Sequence, residues 1–374
     1  MGEIADEVFK FIRVTKGKIK KCLVLDCDNT LWGGIIGEDG LAGIKLGKTY
    51  PGSPFYEFQQ EILNLHHRGV ILALCSKNNE ADVWEVFHNH PDMVLKQEHI
   101  AAAQINWNDK ASNLRQIASD LNIGLDSLVF VDDSEFEVNL VQQNLPEVEV
   151  IHLPATKSVH YRDILASYSG FDTLTLTEED KKRGAMYRAE VTRNKLRQEV
   201  TDLASYYQSL EMVAEINFAD TFTIPRIAQL TQKTNQFNLT TRRYTEADVT
   251  AMVESPSVDI ISLRLGDSFG DLGLVGVCIL KYDQTWAEID TFLLSCRALG
   301  RMAEDLFLGH VLELVKVREF HLVKGTYLST RKNAQVKDFY VKQGFTTIAE
   351  TPERIMFEYD LSKYTGQFQA SSKK

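Results

Sequence analysis

The sequence lacks the features that would favour binding to nucleic acid or insertion into a membrane. Its 374 residues include 41 Lys and Arg against 52 Asp and Glu, a formal net charge of −11, so there is no basic excess for general nucleic-acid binding. No apolar run approaches the length of a membrane span, and nothing reads as a signal peptide. We therefore expect no nucleic acid and no membrane among its partners.

Cysteine is also scarce. The five cysteines are odd in number and show no metal-ligand spacing: Cys22, Cys27, Cys75, Cys278 and Cys296. Such a pattern is typical of a reducing cytoplasm, where thiols are buried or chemically used, so the expected location is cytoplasmic. The length predicts two domains, and a content of 44% hydrophobic and 25% charged residues is ordinary for a globular protein.

One stretch near the N-terminus combines a buried strand with paired acids. The apolar residues 22–25 predict a parallel strand covered on both faces, and the run stops at Asp26. Asp28 follows two residues later, at the carboxyl edge of the sheet, where open α/β folds bind ligands. One carboxylate can attack phosphorus while the other moves protons, and both suit Mg²⁺. The alternative interpretation is that the strand ends in a polar turn, in which the two acids act only as caps.

The same stretch resembles a known family. Residues 26–30 read DCDNT, which resembles the first motif of the haloacid dehalogenase (HAD) superfamily of aspartate-based phosphotransferases. The resemblance implies that Asp26 accepts the phosphoryl group, that Asp28 is the general acid/base and that Thr30 helps to bind phosphate. With residues 31–40, LWGGIIGEDG, it is similar to a narrower group, the FkbH-like glyceryltransferase/phosphatases (HAD-IIIC type). These load a glyceryl unit onto acyl carrier proteins for polyketide biosynthesis.

Three later motifs of the superfamily find matches in the same order. Ser76 ends a second apolar run, where its hydroxyl can bind a phosphoryl oxygen. Lys110 stands where the third motif places its lysine, whose charge would screen repulsion between phosphate and the nucleophile, although a lysine before a helix is usually a solvated charge. Asp132 and Asp133 end a third strand, and we favour Asp132 as the metal ligand because it is nearer to the strand.

The motif spacing predicts the architecture of the first domain. It leaves room for helices between the strands but for no large cap domain, so residues 18–155 are expected to form a capless, Rossmann-like parallel α/β sheet. The resemblance implies that Asp26, Asp132 and the backbone carbonyl of Asp28 hold Mg²⁺, the expected cofactor. An open site favours a protein-borne substrate, and the expected partner is an acyl carrier protein with its phosphopantetheine arm.

The resemblance also implies an acyl-transfer step that needs a thiol. The expected substrate, 1,3-bisphosphoglycerate, would give a glyceryl thioester on the enzyme, and the unit would then pass to the carrier. Cys27, between the two acids, is the preferred catalytic thiol, Cys75 is the second candidate, and a third option is neither. Neighbours on a strand point to opposite faces, and both cysteines are alternatively small buried hydrophobes.

The rest of the chain is divided by composition. We predict an N-terminal extension over 1–17, a polar helical linker over 156–211, a second domain over 212–362 and a polar tail over 363–374. The basic positions of the linker indicate either a solvated helix or a dock for an acidic carrier protein.

The second domain resembles the GCN5-related N-acetyltransferase (GNAT) fold. A strand that leads into Arg297 and Gly300 before a long helix is similar to the acyl-CoA binding turn of that fold, although Met302 stands where Gly or Ala is usual. We therefore expect a C-terminal GNAT-like α/β domain that recognises pantetheine. The candidate substrate- or pantetheine-binding residues are Asn235, Asn238, Arg242, Arg297, Gly300 and Asn333.

The expected function combines both domains. It is a bifunctional, Mg²⁺-dependent glyceryl transferase/phosphatase that takes 1,3-bisphosphoglycerate, removes its phosphate and loads the glyceryl unit onto an acyl carrier protein. Two alternatives stay open. One is a plain Mg²⁺-dependent HAD phosphatase with a protein-binding domain, and the other is a GNAT-type acyltransferase with a regulatory HAD module.

Overall fold

The structure, a computed structural model of the 374-residue chain, describes residues 19–172, 177–199, 210–299 and 301–364. The chain folds into two compact units. The first two of these ranges belong to the first unit, and the last two belong to the second. Among the described residues, no helix is long and apolar enough to cross a membrane.

The first unit is a parallel sheet whose strands are joined by helices. Its strands are β1 (Cys22–Leu25), β2 (Ile71–Ser76), β3 (Ile100–Ile105), β4 (Leu128–Asp132) and β5 (Glu149–His152). Its helices are α1 (Ile36–Gly43), α2 (Ser53–His67), α3 (Glu80–Asn89), α4 (Lys110–Asp120), α5 (Glu135–Asn144), α6 (Tyr161–Ala166) and α7 (Glu178–Glu199). The strand order is β3-β2-β1-β4-β5, and every pair is parallel.

The centre of this sheet explains where the polar residues gather. All four residues of β1 are fully buried, as expected for a strand covered on both faces. In the register of the sheet, Leu25 lies beside Leu74 of β2 and Val131 of β4. The three strands therefore end at the same edge of the sheet, which confirms the expected parallel α/β fold.

The connections near this edge are short. Between β1 and β2 the chain forms α1 and α2, and between β2 and β3 it forms α3 as its one α-helix. Within residues 26–99, all of which the structure describes, no additional domain is inserted. These connections therefore supply no cap domain over the carboxyl edge of the sheet.

The segment interpreted as a linker is packed rather than free-standing in its described part. Both α6 and α7 belong to the first unit. Arg183 of α7 donates to the carbonyl oxygen of Gly69 at 3.1 Å and also pairs with Asp180. Arg188 donates to the carbonyl of Glu98, and Arg193 is buried. These three arginines therefore make internal contacts, which weakens the interpretation of the segment as a carrier dock.

The second unit is a mixed sheet with helices. Its strands are β6 (Val213–Phe218), β7 (Phe237–Asn238), β8 (Val258–Asp267), β9 (Gly270–Tyr282), β10 (Trp286–Leu294), β11 (Leu322–Leu328), β12 (Thr346–Glu350) and β13 (Arg354–Asp360). Its helices are α8 (Ile224–Lys233), α9 (Glu246–Val253), α10 (Ala303–Val317) and α11 (Phe339–Lys342). The order is β12-β13-β11-β10-β9-β8-β6, with β7 beside β10, and β10–β11 is the parallel pair in this sheet.

Aromatic residues fill the core of this second unit. Phe307, Val311 and Val315 recur at four-residue spacing on α10 and are fully buried, as an amphipathic helix on a sheet requires. The ring of Phe307 lies 5.3 Å from that of Phe292 on β10, and Phe292 stacks on Phe339 of α11 at 5.4 Å. The core thus joins both helices to the central strand and confirms an α/β second domain.

Candidate active site

Three carboxylates meet at the carboxyl edge of the first sheet. Asp26 follows β1, Asp132 ends the neighbouring β4 and Asp133 comes next, and one oxygen from each lies within 4.8 Å of the others. The backbone explains this, because the N–H of Asp26 donates to the carbonyl of Val131 at 3.0 Å and so locks β1 to β4. Clustered carboxylate oxygens at this spacing suit a hard divalent cation.

One lysine lies between two of these acids. The Nζ of Lys110, the first residue of α4, is 2.9 Å from Oδ1 of Asp26 and also pairs with Asp132. Burial alone would lower the pKa of Lys110, but Asp26 and Asp132 outweigh it and raise the pKa above its usual value. Lys110 is therefore a buried cation beside the carboxylate that the sequence assigns as nucleophile.

Burial disfavours the ionised forms of Asp132 and Asp133. Burial, with the charge of Asp26 adding to it, raises the pKa of Asp132 to about 7 and that of Asp133 to about 6. Carboxylates crowded in this way release protons more easily when a divalent cation joins them. The donor set therefore fits Mg²⁺.

The structure modifies the ligand set expected from the sequence. Asp133 joins the cluster, although Asp132 alone was favoured for its closeness to the strand. Oδ1 of Asp132 accepts from the N–H of Ser134 at 2.9 Å, and Oδ2 contacts Lys110, so Asp132 is already partly engaged. The pair of consecutive acids after β4 was the available signal for both.

Asp28 takes no part in the carboxylate cluster. Its Oδ1 accepts from the indole N–H of Trp32 at 2.9 Å and from the N–H of Ile36 at 3.1 Å. Its Oδ2 accepts from Nδ2 of Asn78 at 2.8 Å. Burial raises the pKa of Asp28, and these three hydrogen bonds oppose that effect. The side chain is thus held by three donors, and it is the backbone carbonyl of Asp28 that the resemblance implies as a metal ligand.

The two hydroxyls assigned to phosphate binding differ in their surroundings. Ser76 ends β2, is almost fully buried, and has its Oγ 3.4 Å from Nδ2 of Asn78. Thr30 is fully buried, and its Oγ1 has no hydrogen-bond partner among the described residues. Ser76 thus lies at the same sheet edge as Asp26, whereas Thr30 lies in the turn that follows β1.

The cysteines do not match the expected catalytic role. Cys27 is fully buried in a core cluster that includes Leu25 and Leu31, and burial, with the charge of Asp26 adding to it, raises its pKa well above the usual value. Burial likewise raises the pKa of Cys75, whose Sγ lies 3.9 Å from the carbonyl of Lys110. Acyl transfer needs a thiolate, so this geometry argues against Cys27 and Cys75 as acyl carriers.

In the second unit, residues 232–244, which read QKTNQFNLTTRRY, form an amide-rich loop that uses its amides internally. Arg243 binds the side-chain oxygen of Asn235 and several backbone carbonyls of the loop. Asn238 donates to the carbonyl of Thr234 at 3.2 Å and accepts from the N–H of Thr241 at 2.8 Å. The predicted ligand-binding amides therefore fix the loop.

Two further residues that the sequence suggested for substrate or pantetheine binding, Asn333 and Arg297, are buried too. Asn333 is fully buried, and its Nδ2 donates to the carbonyls of Asn238 and Leu328, both at 2.9 Å. Arg297 is only 3% exposed. Gly300 lies outside the described residues. The structure therefore leaves neither Asn333 nor Arg297 open to a large ligand.

The start of α10 fits coenzyme A poorly. Met302, with a φ of 56° and an exposed side chain, precedes the helix, and Glu304 and Asp305 occupy its first turn. Acids there complement the positive end of the helix dipole, and they would repel a pyrophosphate. The resemblance to an acyl-CoA turn is thus not matched by its charges.

One polar cluster of the second unit was missed from the sequence. Asp290 is fully buried at a bulge in β10 and accepts from Nζ of Lys281 at 2.6 Å and from the hydroxyl of Tyr244 at 2.6 Å. Arg242 also pairs with it. Burial would raise the pKa of Asp290, but these partners outweigh it and lower the pKa. No sequence signal marks the bulge, and the cluster ties the loop to the sheet.

Comparisons with known proteins give a partial match. No family model matches the sequence, and the search of curated proteins found no match. Among solved structures, the chain is similar to the N-terminal part of BF1531 from Bacteroides fragilis, described as containing a phosphatase domain complexed with Mg. Identity is 44% over 46% of this chain and 46% of that one, with a TM-score of 0.44, so the chain spans less than half the length of that protein.

Other similar structures include acetyltransferases. They include the ribosomal-protein-S18-alanine N-acetyltransferase of Escherichia coli, with 11% identity over 40% of this chain and 94% of that one, at a TM-score of 0.32. Another is the spermidine/spermine N-acetyltransferase SpeG of Vibrio cholerae, with 12% identity, 40% and 95% coverage and a TM-score of 0.32.

Proposed function

We propose that the chain is a Mg²⁺-dependent phosphatase of the HAD type that also transfers an acyl unit. The observation that carries the proposal is the meeting of Asp26, Asp132 and Asp133 beside Lys110. The BF1531 domain, 44% identical over the matched part, was crystallised with Mg, which supports the choice of metal. Bound by the three acids and the Asp28 carbonyl, Mg²⁺ would offset the negative charge of the phosphoryl group.

The side chains supply the remaining chemistry. A carboxylate oxygen of Asp26 attacks the phosphorus of a phosphate monoester, and the bond from phosphorus to the leaving oxygen breaks. Asp28 gives its proton to that oxygen and then takes one from the water that attacks the aspartyl phosphate, which releases inorganic phosphate. Lys110 and Ser76 lie beside Asp26 at the sheet edge, where they can contact phosphoryl oxygens.

The metal requirement tests this proposal directly. Full-length protein should hydrolyse p-nitrophenyl phosphate with Mg²⁺, should lose the activity after treatment with EDTA and should recover it when Mg²⁺ is restored. Isothermal titration should show Mg²⁺ binding that an Asp132→Asn, Asp133→Asn double variant loses. Hydrolysis that persists in EDTA, or unchanged binding in the double variant, would contradict the assignment.

The finer proposal concerns the substrate and the acceptor. We take the substrate to be 1,3-bisphosphoglycerate and the acceptor to be an acyl carrier protein, supported by the resemblance of residues 26–40 and by the short connections around the site. Because the five cysteines are buried, the carrier's pantetheine thiolate is the favoured attacking group. Its attack on the acyl phosphate carbon forms the C–S bond, breaks the C–O bond and releases phosphate. Asp26 would then hydrolyse the remaining phosphate monoester.

We assign the second unit a role in recognising the pantetheine arm rather than coenzyme A. The acids at the start of α10 support this choice, because the arm on a carrier has a single phosphodiester whereas coenzyme A has a pyrophosphate. Unlabelled coenzyme A should therefore compete poorly with a loaded carrier for this protein. Strong competition at equal concentration would count against the assignment.

Intact-protein mass spectrometry separates the candidate functions. After incubation with 1,3-bisphosphoglycerate and a pantetheinylated carrier, a glyceryl adduct on the carrier supports acyl transfer, and an adduct on an enzyme cysteine would restore the thioester route. Phosphate release without any adduct would indicate the second candidate, a plain phosphatase with a protein-binding domain. The burial of all five cysteines is the observation that keeps this second candidate in view.

A further inference from the structure

The carboxylate of Asp28 is held by three donors that come from two separate segments. Trp32 and the backbone N–H of Ile36 belong to the chain after β1, and both bind Oδ1. Asn78 belongs to the chain after β2 and binds Oδ2 at 2.8 Å. An ionised carboxylate offers about four acceptor positions, two on each oxygen. Oδ1 thus has both positions filled, and Oδ2 retains one.

The segment that carries Trp32 is itself fixed. The N–H of Leu31 donates to the carbonyl of Cys27 at 2.8 Å, so the chain coils back directly after the strand. The side chain of Gln59 on α2 donates to the carbonyl of Leu31 at 2.8 Å. The indole of Trp32 is fully buried and lies edge-on to Phe87, with ring centroids 6.5 Å apart. The indole N–H therefore has little freedom to leave Oδ1.

Asn78 links Asp28 to the end of the neighbouring strand. It is only 4% exposed and comes two residues after Ser76. Its Nδ2 lies 2.8 Å from Oδ2 of Asp28 and 3.4 Å from Oγ of Ser76. A single amide thus spans the assigned acid/base and the assigned phosphate-binding hydroxyl. Its position is set by β2, independently of the turn that holds Trp32.

We propose that Asn78 and Trp32 are positioning residues that leave Oδ2 as the one atom of Asp28 able to carry the transferred proton. The inference rests on the phosphatase function proposed above. With Oδ1 engaged twice, a proton on Asp28 resides on Oδ2, at the position that Asn78 does not occupy. Asn78 and Trp32 therefore fix where the acid points without touching the substrate's leaving group themselves.

The proposal predicts a dependence on the leaving group. A nitrophenolate departs without much help, whereas an alkoxide needs its proton delivered in the transition state, a contribution of about 10²-fold or more from a well-placed acid. Asn78→Ala should therefore lower kcat/KM for glycerol phosphate about 10-fold more than for p-nitrophenyl phosphate. Trp32→Phe, which keeps an aromatic ring but removes the N–H, should shift the same ratio in the same direction.

Two matched variants control for local disturbance. Asn79→Ala alters the adjacent amide, which contacts Asp82 and Trp107 instead of Asp28. Trp84→Phe removes an indole N–H that points to Glu80. Both should leave the ratio of the two substrates unchanged.

A double-variant cycle decides whether the effect runs through Asp28. In an Asp28→Asn background, Asn78→Ala should produce no further change in the leaving-group ratio. Equal losses on both esters in the Asn78 and Trp32 variants, or an undiminished ratio change without Asp28, would overturn the positioning role while leaving phosphatase activity established. If the parent protein hydrolyses neither ester, the phosphatase function fails and the positioning role fails with it.

Discussion

The two units use polar side chains in opposite ways. In the first unit, Asp26, Ser76 and Asp132 come from three neighbouring parallel strands and reach the same edge of one sheet. In the second, Asn238 and Asn333 are buried and bond to backbone groups of their own unit. Polar side chains thus build a site in one unit and hold a loop in the other.

The difference has a physical origin. Polar side chains that follow the ends of parallel strands lie just beyond the hydrogen-bonded part of the sheet. They therefore collect at its carboxyl edge and remain available to ligands. A buried loop must satisfy its own N–H and C=O groups, and nearby amides are the usual donors and acceptors. Asn333, which bridges the carbonyls of Asn238 and Leu328, shows this second use.

The sharpest test of the comparison is Asp26→Asn. If Asp26 is the nucleophile, the variant should lose at least about 10³-fold in kcat for p-nitrophenyl phosphate, because an amide cannot form the phosphoryl intermediate. Asp163→Asn, on the exposed side of α6, serves as the control and should keep full activity. Circular dichroism should confirm that both variants fold. Retention of more than a tenth of the activity in Asp26→Asn would remove the proposed role.

Lys110→Met tests how much stability the buried ion pairs of the site contribute. The change leaves Asp26 and Asp132 without their buried cation, and breaking such a pair costs about 3 kcal/mol of unfolding free energy. Urea denaturation in EDTA should show this loss, and Mg²⁺ should restore part of it by binding the folded acids.

The control for that variant is Lys337→Met. Lys337 pairs with Glu350 at 3.2 Å, and both side chains are about half exposed, so its loss should cost about 1 kcal/mol or less. A Lys110 variant as stable as the Lys337 variant would show that the buried acids simply take up protons and need no cation.

Asp290→Asn tests whether the buried polar cluster of the second unit serves stability rather than catalysis. The amide cannot serve all the donors that meet Asp290, but Arg242 and Lys281 are partly exposed and can turn to water. We therefore expect a loss of about 2 kcal/mol in unfolding free energy and no change in hydrolysis of p-nitrophenyl phosphate. Asp271→Asn, in an exposed pair with Arg264, should change stability by about 0.5 kcal/mol or less. A large loss of phosphatase activity in Asp290→Asn would break the contrast between the units.

The sequence predicted the first unit better than the second for a definable reason. An apolar run followed by Asp26, and another followed by Asp132, predicts both the strand and the place where it ends. The parallel α/β architecture followed from this pattern. That Asp26 and Asp132 share one metal site was implied by the resemblance to the HAD superfamily, and the register of β1 beside β4 shows how the two come together.

Other features could not be read from the pattern. The hydrogen bonds of Asp28 to Trp32 and Asn78 depend on how the turn after β1 coils, and adjacency in sequence does not specify that. The bulge at Asp290 is likewise invisible in an alternating strand pattern. Arg242 was assigned to a ligand from its neighbourhood in sequence, whereas the structure pairs it with that buried carboxylate.

Cys27→Ala should have the smallest effect and gives the most information about the residue between the two acids. Sequence proximity suggested a nucleophilic thiol, but Cys27 is fully buried and burial raises its pKa well above the usual value. The variant should keep kcat for p-nitrophenyl phosphate within about threefold and lose about 1 kcal/mol of stability from the vacated volume. It should also load a carrier as well as the parent does, since the pantetheine thiolate is the proposed attacking group. Loss of loading with phosphatase activity intact would mean that the thiol becomes accessible during turnover, and the thioester route through Cys27 would then replace direct transfer.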